Sequence, residues 1–298
     1  MSDSVPHTDL IGDPVYRADP EGIFTAPIPV RHREDEYDEQ SLSTLWDMQA
    51  RHFWYRGRHR FVLAAVREQL APRTAEVSGL NAIDLGGGCG GWIDYLHGCK
   101  CGLFDELALG DSSPDALRYA KPLVGHYANR YRVDLTNLQW TNRWDVIFLL
   151  DVMEHVEDDR SALLQIANAM RPGGLLFTTT PALQFFWSYN DECAQHKRRY
   201  ARRGLRRLAD SCGLELVKAR YFMFLLSPLL WLSRLRRIDV SSMTRDEVKQ
   251  LIDKTHRVPA APINRALTAL FCAESPLGLR CAFPWGTSIL GVFRKTIG

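Results

Sequence analysis

The central part of the chain, residues 81–180, alternates short apolar runs with longer segments in which apolar residues recur at helical spacing. The run Trp144–Leu150 is apolar at nearly every position, which is typical of a strand buried on both faces of a sheet. Strands and helices in regular alternation predict a parallel sheet that is covered by helices on both sides. We therefore predict an α/β fold built on a doubly wound, mostly parallel sheet of seven strands.

The segments that flank this core have other patterns. Residues 1–40 are polar and have no clear period, which predicts a mobile N-terminal arm. Over residues 41–75, apolar residues recur at helical spacing and predict a helical segment. The core is predicted at 76–220. Residues 221–298 are predicted to form a helical insertion followed by the final strand.

Composition narrows the class of protein. A formal net charge of +2 over 298 residues gives no argument for a nucleic-acid partner. The seven cysteines are scattered, and Cys99-x-Cys101 is too close for a zinc pair, so we expect reduced thiols. We assign no metal ligands, because no ligand spacing supports a metal site, and the need for a divalent metal stays open. The first residues lack a secretory signal pattern. Together these features predict a cytoplasmic protein.

The longest mostly apolar run, Tyr221–Leu232, is too short to span a bilayer. Arginines at 234, 236 and 237 follow it. Three interpretations stay open: a helix buried in the protein, an apolar wall of a substrate site, and a weak contact with a membrane surface. Buried packing is the default for a helix that is apolar nearly all round.

Five glycines follow the apolar strand Ala82–Leu85 and precede a helical segment. The pattern Asp84-x-Gly86-x-Gly88-x-Gly90 lacks the spacing of a dinucleotide site and the Gly-Lys-Ser/Thr ending of a P-loop. An acidic residue beside the turn disfavours a phosphate and suits a ligand that carries an ammonium group. The stretch predicts a nucleotide-binding turn of another kind.

Further acids follow the later strands, as Asp84 follows the first. They are Asp111, Asp134 and Asp151. Because ligands of doubly wound sheets bind at the carboxyl ends of the strands, we expect all four carboxylates to converge on one crevice. Asp111, about twenty residues beyond the glycines, is suited to accept hydrogen bonds from both ribose hydroxyls. A single acid of this kind is otherwise a helix cap or a turn residue.

The set of motifs resembles the class I S-adenosylmethionine (SAM)-dependent methyltransferases, whose first motif reads (D/E)-x-G-x-G-x-G. The resemblance implies a Rossmann-like fold, SAM as cofactor and S-adenosylhomocysteine as product. It also implies that the Asp84–Gly90 turn holds the methionine moiety, that Asp111 binds the ribose and that Asp134 lies near the adenine amine. Ser112 and Asp151 are further predicted cofactor contacts.

The segment His52-Phe-Trp-Tyr-Arg-Gly-Arg58 resembles an HFW(F/Y)-x-x-R signature of a bacterial subgroup of these methyltransferases. The resemblance implies a lid helix over the methionine end of SAM. In that helix Arg58 would hold the cofactor carboxylate and Tyr55 would line the site. An amphipathic helix with its aromatic residues in the core and its arginines in solvent explains the same pattern, and both interpretations stay open.

Candidates for acid–base chemistry follow the fourth strand and the fifth. Glu154 and His155 come directly after the fourth strand, and His196 lies in a run that follows the fifth strand. Histidine titrates near neutral pH and is the commonest catalytic base. We therefore predict Glu154, His155 and His196 as catalytic residues, if the methylated atom needs a base.

The run around His196 resembles a W-S-x-x-D-x-x-x-x-H-x-R-R-Y motif of the same subgroup. It contributes five predicted substrate-binding residues: Trp187, Tyr189, Arg198, Arg199 and Tyr200. Aromatic faces beside arginine forks suit an acceptor with an apolar body and an anionic head. A solvated, basic start of a helix is the simpler explanation of the later arginines.

Several functions fit these features. The first is methylation of a small-molecule acceptor, an isoprenoid or lipid-like compound with a phosphate head; the second is O-methylation of an aromatic or glycosylated natural product. A third possibility, from the class of non-enzymes, is a SAM-binding scaffold or partner subunit without catalytic activity. Nucleic acid is not an expected partner, and a homodimer stays open.

Overall fold

The computed structural model describes residues 15–31, 39–71, 79–234, 238–240, 242–244, 247–248, 250–252 and 257–297. The strands are β1 Arg17–Ala18, β2 Ile23–Thr25, β3 Leu80–Leu85, β4 Phe104–Asp111, β5 Ala128–Arg132, β6 Trp144–Leu150, β7 Met170–Pro181, β8 Leu214–Phe222 and β9 Ser288–Lys295. The helices are α1 Glu39–Arg51, α2 Phe53–Leu70, α3 Gly91–Gly98, α4 Pro114–Val124, α5 Asp159–Ala169, α6 Tyr189–Cys193, α7 Arg202–Ser211, α8 Ser227–Arg234 and α9 Ala261–Arg280.

The strands form one sheet in the order β1-β2-β5-β4-β3-β6-β7-β9-β8. The strands from β2 to β7 in this order pair in parallel, whereas β1 and the final pair, β9 and β8, run antiparallel to their neighbours. The predicted α/β class and mostly parallel sheet are confirmed. The predicted number of seven strands is wrong, because the described part of the chain contributes nine to this sheet.

The two additional strands come from the segment that was predicted to be a mobile arm. β2 pairs in parallel with β5, and Ile23 is buried. Tyr16 stacks on Trp140 with ring centroids 4.5 Å apart and is buried as well. The prediction is therefore wrong for this part of the arm, since a few aromatic and aliphatic side chains suffice to dock it on the sheet edge. Residues 1–14 and 32–38 lie outside the described residues.

The hydrophobic core lies in two layers, one on each face of the sheet. Successive residues of β6 alternate between them, so that Val146 and Phe148 join one cluster while Ile147 and Leu149 join the other. This follows from the two-residue period of a strand. Helices α2, α3, α4 and α9 cover the first face, and α5 and α7 cover the second. Because the helices cover both faces of the sheet, the carboxyl ends of the parallel strands are the place where a site can form.

Helices α1 and α2 pack against α9 at one side of the core. The Asn264 side chain of α9 bridges the junction of α1 and α2, because its amide donates to the Arg51 carbonyl and accepts from the Phe53 amide, each at 2.8 Å. Gly57 of α2 faces the Phe271 ring so closely that a Cβ would lie 2.1 Å from the ring. The insertion therefore holds the predicted lid in place. It stays a prediction that α1 and α2 act as a lid. The predicted domain boundaries also stay predictions.

The run Tyr221–Leu232 is buried only in its first half. Phe222 and Leu226 are buried, whereas Leu229 and Leu232 are each 58% exposed. Buried packing, the default interpretation, is therefore wrong for the second half, and membrane-surface contact stays a prediction. Among the described residues, a search for helices of the length and hydropathy needed to cross a membrane finds no candidate. Arg236 and Arg237 lie outside the described residues.

Candidate functional site

The carboxyl ends of β5, β4, β3 and β6 open onto a cavity of about 490 Å³. Nine of the ten predicted cofactor residues line it: Tyr55, Arg58, Asp84, Gly86, Gly88, Asp111, Ser112, Asp134 and Asp151. The tenth, Gly90, does not; it is the N-cap of α3. The expected convergence of the four aspartates on one crevice is therefore confirmed. The size of the cavity falls within the range of about 300–1,000 Å³ that is common for small-molecule sites.

The glycine turn owes its shape to the absence of side chains. Gly86 has a φ of 71°, and a Cβ there would lie 2.6 Å from the Val152 side chain. Gly88 has a φ of 55°, and a Cβ would lie 3.2 Å from Leu45 of α1. Larger residues rarely adopt these backbone conformations. The turn therefore brings backbone atoms to the wall of the cavity where a side chain would occupy the space.

Asp111 connects the turn to the end of β4. One of its carboxylate oxygens accepts a hydrogen bond from the Gly88 amide at 2.9 Å, and the other accepts from the Ser113 amide at the same distance. Ser113 in turn caps α4 through a bond from the Ala116 amide. Each carboxylate oxygen has room for further hydrogen bonds. Asp111 is thus rigidly oriented at the wall of the cavity, and its role as acceptor for ribose hydroxyls stays a prediction.

Asp84 lies beneath the glycine turn and is only 2% exposed. Burial raises the pKa of its carboxyl to about 8, the nearby Asp111 charge acts in the same direction, and Arg58 partly offsets both. The carboxyl is therefore mostly protonated at neutral pH. A ligand cation beside it would stabilise the ionised form and lower this pKa.

Binding of SAM at pH 7 is accordingly expected to release about one proton from Asp84, because a sulfonium or ammonium group favours the carboxylate. Calorimetric titrations in two buffers with different ionisation enthalpies measure this proton. Asp84→Asn should bind without the release, while Asp115→Asn, an exposed control, should behave like wild type. Equal buffer dependence for wild type and Asp84→Asn would contradict the assignment.

The raised pKa of Asp84 also makes the free energy of unfolding depend on pH. Because the folded pKa lies above that of an unfolded aspartate, about 3.9, the stabilising contribution of the protonated carboxyl is lost as the pH rises through about 8.

Asp151 and Arg58 form an ion pair at the end of β6. A guanidinium nitrogen of Arg58 lies 2.5 Å from the Asp151 carboxylate, and the arginine side chain is 6% exposed. The second carboxylate oxygen accepts from the Thr179 hydroxyl at 2.9 Å. Asp151 has a φ of 59°, a conformation that is uncommon outside glycine and concentrated at functional sites. This strained position aims the carboxylate at Arg58, across the floor of the cavity.

Tyr55 completes the contribution of α2. The Arg58 guanidinium lies 5.0 Å from the centre of its ring, and burial raises the pKa of the Tyr55 phenol to about 12. Trp54, by contrast, packs against Phe222 in the core. Trp54 therefore fits the interpretation of aromatic residues in the core, whereas Tyr55 faces the cavity. That Arg58 holds the carboxylate of the cofactor stays a prediction.

The remaining wall comes from the loop after β5 and from the N-terminal segment. The Asp134 carboxylate accepts hydrogen bonds from the amide and hydroxyl of Thr136, and from the Arg31 amide at 3.3 Å. Arg31, Ser112 and Asp134 all line the cavity. The residues that follow β2 therefore border the part of the site that the sequence assigns to adenine.

The three predicted acid–base residues come together at one end of the cavity. Ligand atoms of Glu154, His155 and His196 lie within 4.8 Å of one another. His155 lines the cavity, whereas Glu154 and His196 are not among the lining residues. Burial raises the pKa of the Glu154 carboxyl well above its usual range, and the Asp151 charge adds to this effect. Within the described part of the chain, neither oxygen of this carboxyl has a hydrogen-bond partner.

Asp191 organises the motif around His196. Its buried carboxylate accepts from the His196 ring at 3.0 Å, from the Ser188 amide at 2.8 Å, and from two nitrogens of the Arg199 guanidinium, each at 2.8 Å. Burial alone would raise the Asp191 pKa, but the bonds from His196 and Arg199 outweigh it and hold this pKa well below its usual range. The Asp191 carboxylate therefore holds Ser188, His196 and Arg199 in fixed positions relative to one another.

This geometry agrees with what the comparison with protein families finds. The family model described as "Methyltransferase domain" (Methyltransf_23) matches residues 48–219, more than half of the chain. The chain belongs to this methyltransferase family. No curated protein matches the sequence. The predicted class of SAM-dependent methyltransferases is confirmed at the level of the family.

Two solved structures have folds that match most of this chain. A putative methyltransferase of Haloferax volcanii, in complex with the Trm112 methyltransferase activator, is 15% identical; the match covers 89% of this chain and 97% of that one, with a TM-score of 0.55. Phosphoethanolamine N-methyltransferase 2 of Haemonchus contortus, in complex with SAM, is also 15% identical. That match covers 89% of this chain and 59% of the other, with a TM-score of 0.55. At this identity the likeness shows the fold alone.

The five predicted substrate-binding residues do not line the cavity of this methyltransferase. The Arg199 fork is taken by Asp191, and the Arg198 guanidinium binds the Asp159 carboxylate at 3.0 Å and the Glu157 carbonyl at 2.6 Å. The Tyr200 hydroxyl bonds to Asp159 at 2.7 Å. The expectation that the Arg199 fork faces an anionic acceptor is wrong for this structure, because its three guanidinium nitrogens donate to the Asp191 carboxylate and the Ala182 carbonyl. Trp187 and Tyr189 are half-buried outside the cavity lining.

Other lining residues were not predicted from the sequence. Gln49 of α1 accepts a hydrogen bond from the Gly91 amide at 3.2 Å, so that α1 is fastened to the start of α3. Leu45, Gln49, Arg31 and Lys197 line the cavity as well. The helical period of α1 indicated that Leu45 lies on the apolar face of the helix. Nothing in the sequence indicated that this face meets the glycine turn.

Proposed function

We propose that this methyltransferase transfers the methyl group of SAM to a hydroxyl of a small-molecule acceptor, with an aromatic or glycosylated compound as the acceptor class. The observation that carries the proposal is the position of the cluster of Glu154, His155 and His196. Its His155 lines the same cavity as the glycine turn and the four aspartates, and the other two residues lie within reach of His155. A hydroxyl has to lose its proton as it is methylated, and this cluster provides groups that can receive one.

The residues of the cavity fit the predicted cofactor. The glycine turn leaves space that a Cβ would fill, Asp84 suits a cationic group and Asp111 suits paired hydroxyls. When bound, SAM supplies a methyl group that leaves its sulfonium as the bond from the acceptor oxygen to the methyl carbon forms. The chain holds the two reactants in line and excludes water, which is the main source of rate in such a transfer. We assign to His155, which lines the cavity, the role of receiving the hydroxyl proton.

A phosphate-headed isoprenoid is the competing acceptor. Its support in the sequence was the arginine pair after His196, and these guanidinium groups are engaged by Asp191 and Asp159. The cationic side chains that line the cavity are Arg31, Arg58 and Lys197 among the described residues. Arg58 is paired with Asp151, and the Lys197 ammonium lies 3.3 Å from the Glu157 carboxylate. This arrangement favours a neutral acceptor over a phosphate.

A turnover assay tests the proposal. Formation of S-adenosylhomocysteine is followed with SAM and two acceptor panels, hydroxylated aromatic or glycosylated compounds and prenyl phosphates. We expect turnover with the first panel. His155→Gln should lower kcat by about 10²- to 10⁴-fold, the usual contribution of a general base, while the affinity for S-adenosylhomocysteine is kept. His126→Gln, a change at an exposed histidine, is the matched control.

Two outcomes would contradict this assignment. Turnover of prenyl phosphates alone would replace the hydroxyl acceptor with the isoprenoid. Cofactor binding without turnover in either panel, together with binding to a partner protein or to lipid vesicles, would favour the scaffold function instead.

A further inference from the structure

We propose that Glu154, His155 and His196 form a binding site for a first-row divalent cation at the wall of the cavity. No ligand spacing in the sequence supports a metal here, and His196 lies far along the chain from Glu154 and His155. The fold removes that objection, since it brings one possible ligand atom from each residue within 4.8 Å of the others. The role of the cation in catalysis rests on the proposed function, but its binding does not.

Glu154 is the strongest indication of a ligand. Its side chain is 1% exposed, and within the described chain neither carboxylate oxygen accepts or donates a hydrogen bond. Leaving a buried polar group without a partner is energetically unfavourable, because the group loses its hydrogen bonds to water. The carboxyl group lies against two imidazole rings whose centroids are 4.8 Å apart. A cation held by the three side chains would satisfy this carboxylate.

The second indication is the orientation of His196. Its Nδ1 lies 3.0 Å from the Asp191 carboxylate, which leaves Nε2 as the ring atom that can bind a metal. Histidines that ligate metals usually make such a bond to a carboxylate through the other ring nitrogen, which sets the tautomer and the ring plane. Asp191 is itself fixed by Arg199 and Ser188. The imidazole is therefore preorganised before any ion binds.

The ligand set indicates the class of ion. Two imidazoles and one carboxylate are the protein ligands of many catalytic zinc sites, and they suit zinc, cobalt, nickel and iron better than magnesium or calcium. Ligands at about 2.0–2.1 Å from zinc lie on the order of 3.3 Å apart in a tetrahedral site. Shifts of about 1 Å or less would bring the three groups to that spacing.

Such an ion would act on the acceptor. His155 lines the cavity, so a cation bound to it borders the space that the acceptor is proposed to occupy. A bound divalent cation lowers the pKa of a coordinated hydroxyl or water. With the ion bound, His155 would be a ligand of the ion instead of the base. The acceptor hydroxyl would then lose its proton to solvent water at neutral pH, and its oxygen would form the bond to the methyl carbon as the sulfur–methyl bond breaks.

The test is a titration of the full chain, stripped with a chelator, with ZnCl₂ by calorimetry and with CoCl₂ by visible absorption. We expect one site per chain, with the absorption of Co²⁺ in a low-coordinate nitrogen and oxygen environment. Glu154→Gln and His196→Gln should each weaken this binding by at least about 100-fold, beyond the 10- to 100-fold effect of a change to a residue that only orients a ligand. Retained affinity for S-adenosylhomocysteine checks that both variants fold.

Two controls separate the site from adventitious binding. Glu157→Gln removes a nearby exposed carboxylate and should leave metal affinity unchanged. The double change Cys99→Ser and Cys101→Ser removes a thiol pair that could bind zinc, and it should leave the Co²⁺ spectrum unchanged. A titration that Glu154→Gln and His196→Gln do not alter, or that the cysteine changes abolish, would overturn the proposal. Metal binding without methyl transfer to any acceptor would overturn the proposed function alone.

Discussion

Replacing Asp111 with alanine is expected to abolish tight binding of S-adenosylhomocysteine by this methyltransferase. The carboxylate lines the cavity and is oriented by the Gly88 and Ser113 amides. Hydrogen bonds to a charged group contribute about 1.5–3 kcal/mol each, so the loss of two to a ribose should weaken binding by about 10²- to 10⁴-fold. Loss of the bond from Gly88 loosens the glycine turn and acts in the same direction. Calorimetric titration measures the affinity.

Asp115→Ala is the matched control for this experiment. Asp115 lies four residues further along the chain, on the exposed side of α4, where it pairs with Arg118 at 2.7 Å. Its removal should leave the affinity for S-adenosylhomocysteine unchanged. If Asp111→Ala binds as tightly as wild type and retains its circular dichroism spectrum, then the assignment of Asp111 to the ribose is wrong.

Asp191→Asn is expected to cause the largest loss of stability, about 3–5 kcal/mol, the usual effect of breaking a buried ion pair from one side. The Asp191 side chain is 1% exposed and that of Arg199 is 4% exposed. The substitution would leave the arginine charge buried without its counterion and would release the His196 ring. Chemical denaturation followed by circular dichroism measures the free energy of unfolding.

Two further variants test whether the loss of stability in Asp191→Asn comes from the buried ion pair. Asp115→Asn breaks an ion pair whose side chains are 61% and 51% exposed, and it should change the free energy of unfolding by less than about 1 kcal/mol. Asp191→Leu combined with Arg199→Met should recover part of the loss, because no uncompensated charge is then buried. If Asp191→Asn and Asp115→Asn destabilise the protein equally, Asp191 does not have the central position described above.

Some features of the site follow from local patterns and were therefore predictable. The glycines at 86 and 88 have positive φ angles, and a strand followed by such a turn and a helix is a local signal. The aspartates could be located because parallel strands end at the same edge of a sheet, so that a strand boundary also predicts where its side chain lies. The helical start at Ser113 follows in the same way from its cap.

The function of the arginines could not be predicted in this way. The pattern after His196 shows cationic side chains next to aromatic ones, but it does not say which carboxylate lies within reach. In the structure Asp191 takes the Arg199 fork and Asp159 takes Arg198. The N-terminal strands were missed for a related reason, because their burial depends on a docking partner, the edge of β5, that is about a hundred residues away.

The sequence by itself therefore determined the α/β class, the SAM-dependent methyltransferase family and the convergence of four aspartates on a glycine turn. These properties depend on periodicity, backbone conformation and the position of residues at strand ends, all of which are local. Only the tertiary structure decided that the sheet has nine strands, that Arg199 points inward, and that His196 meets Glu154 and His155. Those properties depend on contacts between distant segments, which are set by how the helices and loops pack on the sheet.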